Sequence, residues 1–177
     1  MQAFVFLASN ILPNMDRDQP ALVAPHTSNQ WEQYFDLRWR VLRAPWQQPR
    51  GSEKDQIEAK SQHLMIPGTG GRPLAIGRLH FNSPEEAQIR FMAVEPAAQG
   101  RGFGGRILVE FERRARAAGA KSIVLNARED AQRFYLKNGF TAVGPAPTMF
   151  DAVKHVRMQK NLTPSGGNQQ ETSSEAS

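Results

Sequence analysis

Apolar positions along this chain recur at two periods. From Gln30 to Arg43 they fall on Trp31, Phe35, Leu37, Val41 and Leu42, the stripe of an amphipathic helix, with Asn29 placed as N-cap and Glu32 three residues on. A second helix is predicted over Phe103 to Ala118, where Phe103, Ile107, Phe111, Ala115 and Ala118 share a face and Gly119 ends the run. Shorter apolar runs read as strands: "ALVA" at 21–24, "HLMI" at 63–66, "PLAIGRLHF" at 73–81 and "AQIRFMAV" at 87–94. The gaps "PGTGGR" and "NSPEE" are short and turn-rich, so the last three form an antiparallel meander. "KSIVLN" at 121–126 is a buried-strand pattern reached through the helix from 87–94, which makes those two strands parallel. "AREDAQRFYLKN" predicts a further helix, capped by Asn126 with Glu129 at the third position and closed by Gly139. "FTAVG" and "AVKHVRM" complete the sheet. The fold class is α/β in the α+β sense, a mixed and mostly antiparallel sheet flanked by helices. Between Pro45, Pro49 and the meander, "RGSEKD" at 50–55 reads as a mobile surface loop.

Length then limits the architecture. A chain of 177 residues suits one domain, placed at 21–162, with an uncertain extension at 1–20. The segment 163–177 has no large apolar residue and is expected to be disordered. There are no cysteines, which removes disulfide frameworks, thiolate metal sites and cysteine nucleophiles. No apolar run approaches the roughly 20 residues of a membrane span. The opening "MQAFVFLASNIL" has no Lys or Arg before it, so a cytoplasmic location is expected over export. Net charge is +5, and segment 163–177 carries two Glu and no base, which leaves +7 on residues 1–162. A basic body suits an anionic partner. Neither a nucleic-acid reading module nor aromatic-interleaved basic clusters occur, so a small anionic molecule is the expected ligand.

The segment "QGRGFGGR" at 99–106 carries two phosphate-binding patterns at once. Gly100, Gly102 and Gly105 spell G-x-G-x-x-G, while Gln99, Gly102 and Gly104 spell Q-x-x-G-x-G. Both let backbone N–H groups approach an anion at a helix N-terminus, and a plain chain-turning role is the third reading. The dinucleotide pattern wants an acidic residue at the end of the next strand, where this chain has Asn126, and it sits in a first βαβ unit, which this loop does not. A Walker A loop needs Lys and Ser or Thr where Arg106 and Ile107 stand.

The segments "FMAVEPAAQGRGFGGRIL" and "IVLNAREDAQRFYLKNGF", in that order, resemble the GNAT superfamily of acetyl-CoA-dependent N-acetyltransferases over roughly residues 30–160. The resemblance implies a GNAT-like sheet whose parallel pair splays apart at a cofactor cleft. It implies that the backbone of Met92, Ala93 and Val94 pairs with the pantetheine arm of acetyl-CoA, and that an N–H near Val94 faces the oxyanion. The pyrophosphate then lies on the N–H groups of Gln99, Gly100, Arg101, Gly102, Phe103, Gly104 and Gly105, with Arg101 and Arg106 balancing charge. Asn126 is read both as a helix cap and as a contact to the coenzyme arm. Tyr135 is the implied general acid for the leaving thiolate, with plain packing as the other reading.

On the acceptor side the resemblance thins, because Gln88 and Arg90 stand where some relatives carry a carboxylate base. His80, opposite Gln88 to Arg90 in the expected hairpin, is the candidate proton relay, and His155 a second one. Arg90 is expected on the same strand face as Met92 by the period of two, turned toward an acceptor that bears a carboxylate. No metal is called for. The expected partner is a small-molecule or peptide amine, with a homodimer left open and neither nucleic acid nor membrane involved. The alternative to the enzyme is a non-catalytic module that binds acyl-CoA for regulation.

Overall fold

The computed structural model describes residues 19–162, so the expectations for residues 1–18 of the N-terminal extension and for the segment after Leu162 lie outside the described residues. The elements are α1 (Ser28–Leu42), β1 (Gln62–Pro67), β2 (Pro73–Ser83), β3 (Glu86–Val94), α2 (Phe103–Ala117), β4 (Ser122–Arg128), α3 (Gln132–Lys137), β5 (Thr141–Met149) and β6 (Val153–Asn161). They form one six-stranded sheet in the order β1-β2-β3-β4-β6-β5. All neighbours are antiparallel except β3 and β4, the pair joined through α2. This is the mixed sheet expected, with its single parallel pair. Among the described residues no helix is long and apolar enough to cross a membrane.

Three boundaries differ from the sequence reading. The cap of α1 is Thr27, which forms a capping box with Gln30, because a hydroxyl one residue before Ser28 reaches the third N–H. "ALVA" contributes only an isolated bridge from Val23 to Met65, with mutual backbone bonds of 2.9 and 2.8 Å. Asn126 caps no helix. It lies within β4, paired with Arg157 of β6, and α3 starts only at Gln132 behind a short turn. The β-rich run "SIVLNAR" simply continues as strand.

The sheet separates two apolar cores. On one side α2, through Ile107 and Phe111, and α3 cover Leu79, Ala87, Ile89 and Leu125. On the other, α1 lays Tyr34 and Leu37 over Met65, Ile76 and Ala93. Strand β3 contributes to both, through an irregularity at its centre. Ile76 pairs with Ala93 and Arg78 with Arg90, so Phe91 and Met92 together face the single residue Gly77. This is a β-bulge, and Phe91 is held at φ 54°, in the left-handed region. The extra residue reverses the alternation, so that Ala87 and Ile89 pack under α2 while Ala93 packs under α1. Arg90 therefore does not share a face with Met92 as expected. The period of two fails across a bulge, and Arg90 falls on the α1 side with Arg78.

Beneath α1 that face is charged. Arg38 and Arg78 are both 0% exposed. Glu58 Oε1 accepts from Arg38 at 2.8 Å and from Arg78 at 2.7 Å, and Asp55 takes a two-pronged contact from Arg78 at 2.6 and 2.8 Å. Arg38 also donates to the Tyr34 hydroxyl, which bonds the carbonyl of Gly77 beside the bulge at 2.8 Å. These bonds tie down the segment expected to be a mobile loop. Glu53 is buried, and Asp55 and Glu58 are drawn inward because two desolvated guanidiniums need counter-charges. Glu58→Gln should accordingly cost about 3–5 kcal/mol of unfolding free energy, since it leaves Arg38 buried without a carboxylate. Urea unfolding with an unchanged slope measures this, and a loss below 1 kcal/mol would mean that water reaches the cluster.

Candidate active site

The register of β3 with β4 extends only over Glu86, Ala87 and Gln88 against Ser122, Ile123 and Val124. Beyond these residues β3 runs on through the bulge and β4 runs on to Arg128 without pairing, so the two strands part and leave two open backbone edges. The gap is a cleft of about 800 Å³. Glu95 N–H returns to the Leu74 carbonyl of β2 at 2.8 Å. Val94 N–H, one residue back on an extended strand, therefore points the other way, into the gap.

One end of the cleft is closed by the glycine loop and the start of α2. Gly102 is the N-cap of α2 with φ 81°, provides no side-chain cap, and is followed by a first turn without acidic residues. The first bond of the helix runs from Arg106 N–H to the Gly102 carbonyl. The N–H groups of Phe103, Gly104 and Gly105 thus have no partner within the helix and meet the cleft with the positive end of the dipole. Gly104 is bare because α3 is close: a Cβ there would lie 3.1 Å from Phe134 Cζ. A pyrophosphate fits this donor set, as it is a helix start with no side-chain cap and no acidic residue in its first turn.

Of the residues expected to hold the coenzyme, Met92, Ala93, Val94, Gln99, Gly100, Gly102, Phe103, Gly104, Gly105 and Asn126 line this one cleft. Arg101 and Arg106 do not. Arg101 is exposed and stacks at 4.9 Å on the Phe103 ring. Arg106 points away from the loop, donating at 2.7 Å to the carbonyl of Pro20. Side-chain length let both reach an anion on paper, but α2 turns Arg106 onto the incoming chain instead.

Tyr135 lines the cleft from α3 and is 8% exposed, packed edge-on against Phe134 and Phe140. Its hydroxyl is bonded to no protein group among the described residues. Burial pushes its pKa up to about 12, with Arg128 pulling weakly the other way. His80 pairs with Gln88 in the predicted register, yet it stands on β2, one strand removed from the gap, and does not line it. Burial and then the charges of Arg78 and Arg90 lower its pKa. His155 does line the cleft. Its Nδ1 lies 2.8 Å from the Val153 carbonyl, an atom that only accepts, so Nδ1 carries the proton and Nε2 of the neutral ring is left as an acceptor. No group of three or more His, Asp and Glu among the described residues is placed to hold a metal ion.

At the far end of the cleft stand residues that the sequence reading did not single out. Arg43 at the close of α1, Trp46 just after it, and Phe150 in the β5–β6 turn line it together with Arg90 and Phe91. The guanidinium carbons of Arg38, Arg78, Arg90 and Arg43 lie 4.4, 4.6, 5.0 and 5.3 Å from the centre of the Phe91 ring. No local pattern marks this cluster, because it is assembled from α1, β2 and β3 around a bulge.

A profile of the acetyltransferase (GNAT) family matches residues 31–140. The chain belongs to that family. This acetyltransferase is 25% identical over 139 residues to the N-acetyltransferase YjcF of Bacillus subtilis strain 168, covering 78% of this chain and 98% of that one. Its fold is similar to that of an N-acetyltransferase of Lactobacillus plantarum, with a TM-score of 0.70 at 20% identity over 82% of this chain and all of the other. A Bacillus subtilis acetyltransferase solved in complex with CoA matches with a TM-score of 0.65 at 17% identity, over 82% and 100% of the two chains. The acetyltransferase is thus an enzyme of the acyltransferase class, with the six-stranded mixed sheet of its family.

Two measurements check this geometry. Gly102→Val should weaken coenzyme A binding at least tenfold by calorimetry, about 1.4 kcal/mol, by placing a side chain in the cradle. Gly119→Val, at the other end of α2 with a similar φ of 87° and open space around it, carries the same backbone strain and should leave affinity unchanged. Equal losses in the two variants would assign the effect to strain. Secondly, burial raises the pKa of Tyr34 as well as that of Tyr135, and the chain has no other tyrosine. The folded protein should show little tyrosinate absorbance at 295 nm near pH 10, where the unfolded chain is half ionised, and stability should fall as pH rises from about 10 toward about 12.

Proposed function

We propose that this acetyltransferase moves an acetyl group from acetyl-CoA directly to the primary amine of a small molecule or peptide, within a single domain over residues 21–162 and in the cytoplasm. The observation that carries this reading is the cleft itself. One gap between two unpaired strand edges has an anion cradle at one end and a walled pocket at the other, so donor and acceptor meet where β3 and β4 part. Holding two substrates in one such gap is worth several kcal/mol of the barrier.

The edge of β3 at Met92 to Val94 accepts the coenzyme arm as an added strand, and the Phe103 to Gly105 turn of α2 takes the pyrophosphate. The amine lone pair forms the C–N bond at the thioester carbonyl while Val94 N–H receives the developing oxyanion. The C–S bond then breaks, the electron pair leaves with sulfur, and the nitrogen gives up one proton. In this scheme His155, whose Nε2 has no protein partner among the described residues, takes that proton. A thioester needs no further activation to be attacked, because its leaving group is a thiolate whose acid has a pKa of about 8.5.

The same figure narrows the part of Tyr135. Burial pushes the phenol up to about 12 and disfavours a thiolate in the same cleft as well, but the phenol starts as the weaker acid by about 1.5 units (~2 kcal/mol), so Tyr135 donates a hydrogen bond to the departing sulfur rather than its proton. His80 stands off the cleft and has no part in this scheme. Tyr135→Phe keeps the contacts with Phe134 and Phe140, and should lower kcat about tenfold, the worth of one hydrogen bond of ~1.4 kcal/mol, at unchanged coenzyme affinity. Free-thiol release with an amine acceptor, under conditions where chemistry limits turnover, reads this out. A loss above about a thousandfold would restore full proton transfer, whereas none would leave Tyr135 a packing residue.

A further inference from the structure

The walled end of the cleft has a charge that nothing among the described residues fully answers. Arg43 spends Nε on the Ser52 carbonyl and Nη1 on the Leu42 carbonyl, each at 3.0 Å, and has no salt bridge among the described residues. Arg90 has only a loose contact, 3.5 Å from Asp55 Oδ2, whose carboxylate is already committed to Arg78. Both line the cleft. Burial and neighbouring arginines lower the pKa of each, the mark of positive charge held where it is poorly compensated.

Four guanidiniums gather on Phe91, and the carboxylates among them are Glu53, Asp55 and Glu58, which leaves one positive charge over. The acid that does line the cleft, Asp130, is paired with Arg128 at 3.2 Å. Arg90 lies four residues back along β3 from Val94, before the bulge and turned to the α1 face, so it is set off from the glycine loop that follows the strand. Phe150 and Trp46 add apolar wall beside the two arginines.

We propose that the acceptor is a primary amine carrying one carboxylate beside an apolar body, an amino acid or small amino-carboxylate, and that Arg43 and Arg90 clamp the carboxylate across the Phe91 ring. The inference rests on the cleft being a site of acetyl transfer. A single carboxylate matches the single surplus charge, and two guanidiniums gathered at one ring present donors to its two oxygens. Polycationic amines meet like charge at the same place and are turned away.

The test supplies the full-length protein with acetyl-CoA and, in turn, L-phenylalanine, L-phenylalaninamide, spermidine and O-phosphoethanolamine, reading free thiol. Phenylalanine should exceed its amide at least tenfold in kcat/KM, with spermidine lower still. Arg90→Gln, whose side chain is partly exposed and whose loss spares the buried pairs, should lower kcat/KM for the acid at least tenfold more than for the amide, and Arg90→Lys should restore part of the difference. Preference for the amide or spermidine, or an equal effect of Arg90→Gln on acid and amide, overturns the clamp but leaves amine acetylation standing. Preference for O-phosphoethanolamine overturns the carboxylate assignment. If no amine releases thiol, the acetyl-transfer reading fails by itself, and the clamp is judged by calorimetry with the product analogue N-acetyl-L-phenylalanine in the presence of coenzyme A. At least tenfold tighter binding than N-acetyl-L-phenylalaninamide, lost in Arg90→Gln, supports the clamp, and equal binding overturns it.

Discussion

Everything that makes this sheet a catalyst follows from two residues standing against one. Phe91 and Met92 oppose Gly77, and there is no room to share the excess with β2, because a Cβ on Gly77 would lie 2.8 Å from Phe111 Cε2 and 2.9 Å from Ile107 Cγ2. The adjustment falls on β3, where Phe91 takes a left-handed conformation that costs a non-glycine residue about 1–3 kcal/mol. Beyond the parallel register at Gln88 the strand therefore twists away from β4. A regular β3 would zip to β4 along its length and close the gap.

The strain at Phe91 is held in place from several sides. Its ring is the surface on which the buried guanidiniums rest, and the Tyr34 hydroxyl that receives Arg38 also bonds Gly77, the residue opposite the bulge. Buried ion pairs are weak contributors to stability relative to apolar packing of the same volume, since desolvation offsets most of the Coulomb gain. Their presence under α1 is better understood as positioning. Arg38 and Arg78 absorb Asp55 and Glu58, and so keep the two outer arginines, Arg43 and Arg90, without full partners where they line the cleft.

What was legible in the sequence was whatever local periodicity or short-range turn chemistry specifies. The meander, the stripe of α2, the parallel pair and the glycine loop could all be read from spacing, and ten of the twelve residues assigned to the coenzyme line a single cleft. The misses share one cause. Asn126 looks like a cap because Asn before an acidic turn usually is one, yet the neighbouring strand β6 keeps it extended. Arg90 was put on the wrong face because a bulge leaves no mark on the residues that form it. The "RGSEKD" loop is polar by composition, and only the tertiary placement of Arg38 and Arg78 makes its acids interior. Arg43 and Trp46 reach the cleft from the end of α1, which no motif in the chain signals.

The reversal of faces along β3 also divides the strand into two separately mutable halves. Before the bulge Arg90 turns to α1 and its arginines, while after it Met92 and Val94 turn to the α2 side. A substitution on the Arg90 side of the bulge therefore leaves the glycine loop and the start of α2 in place. The same local kink that opens the gap thereby insulates one end of it from changes at the other.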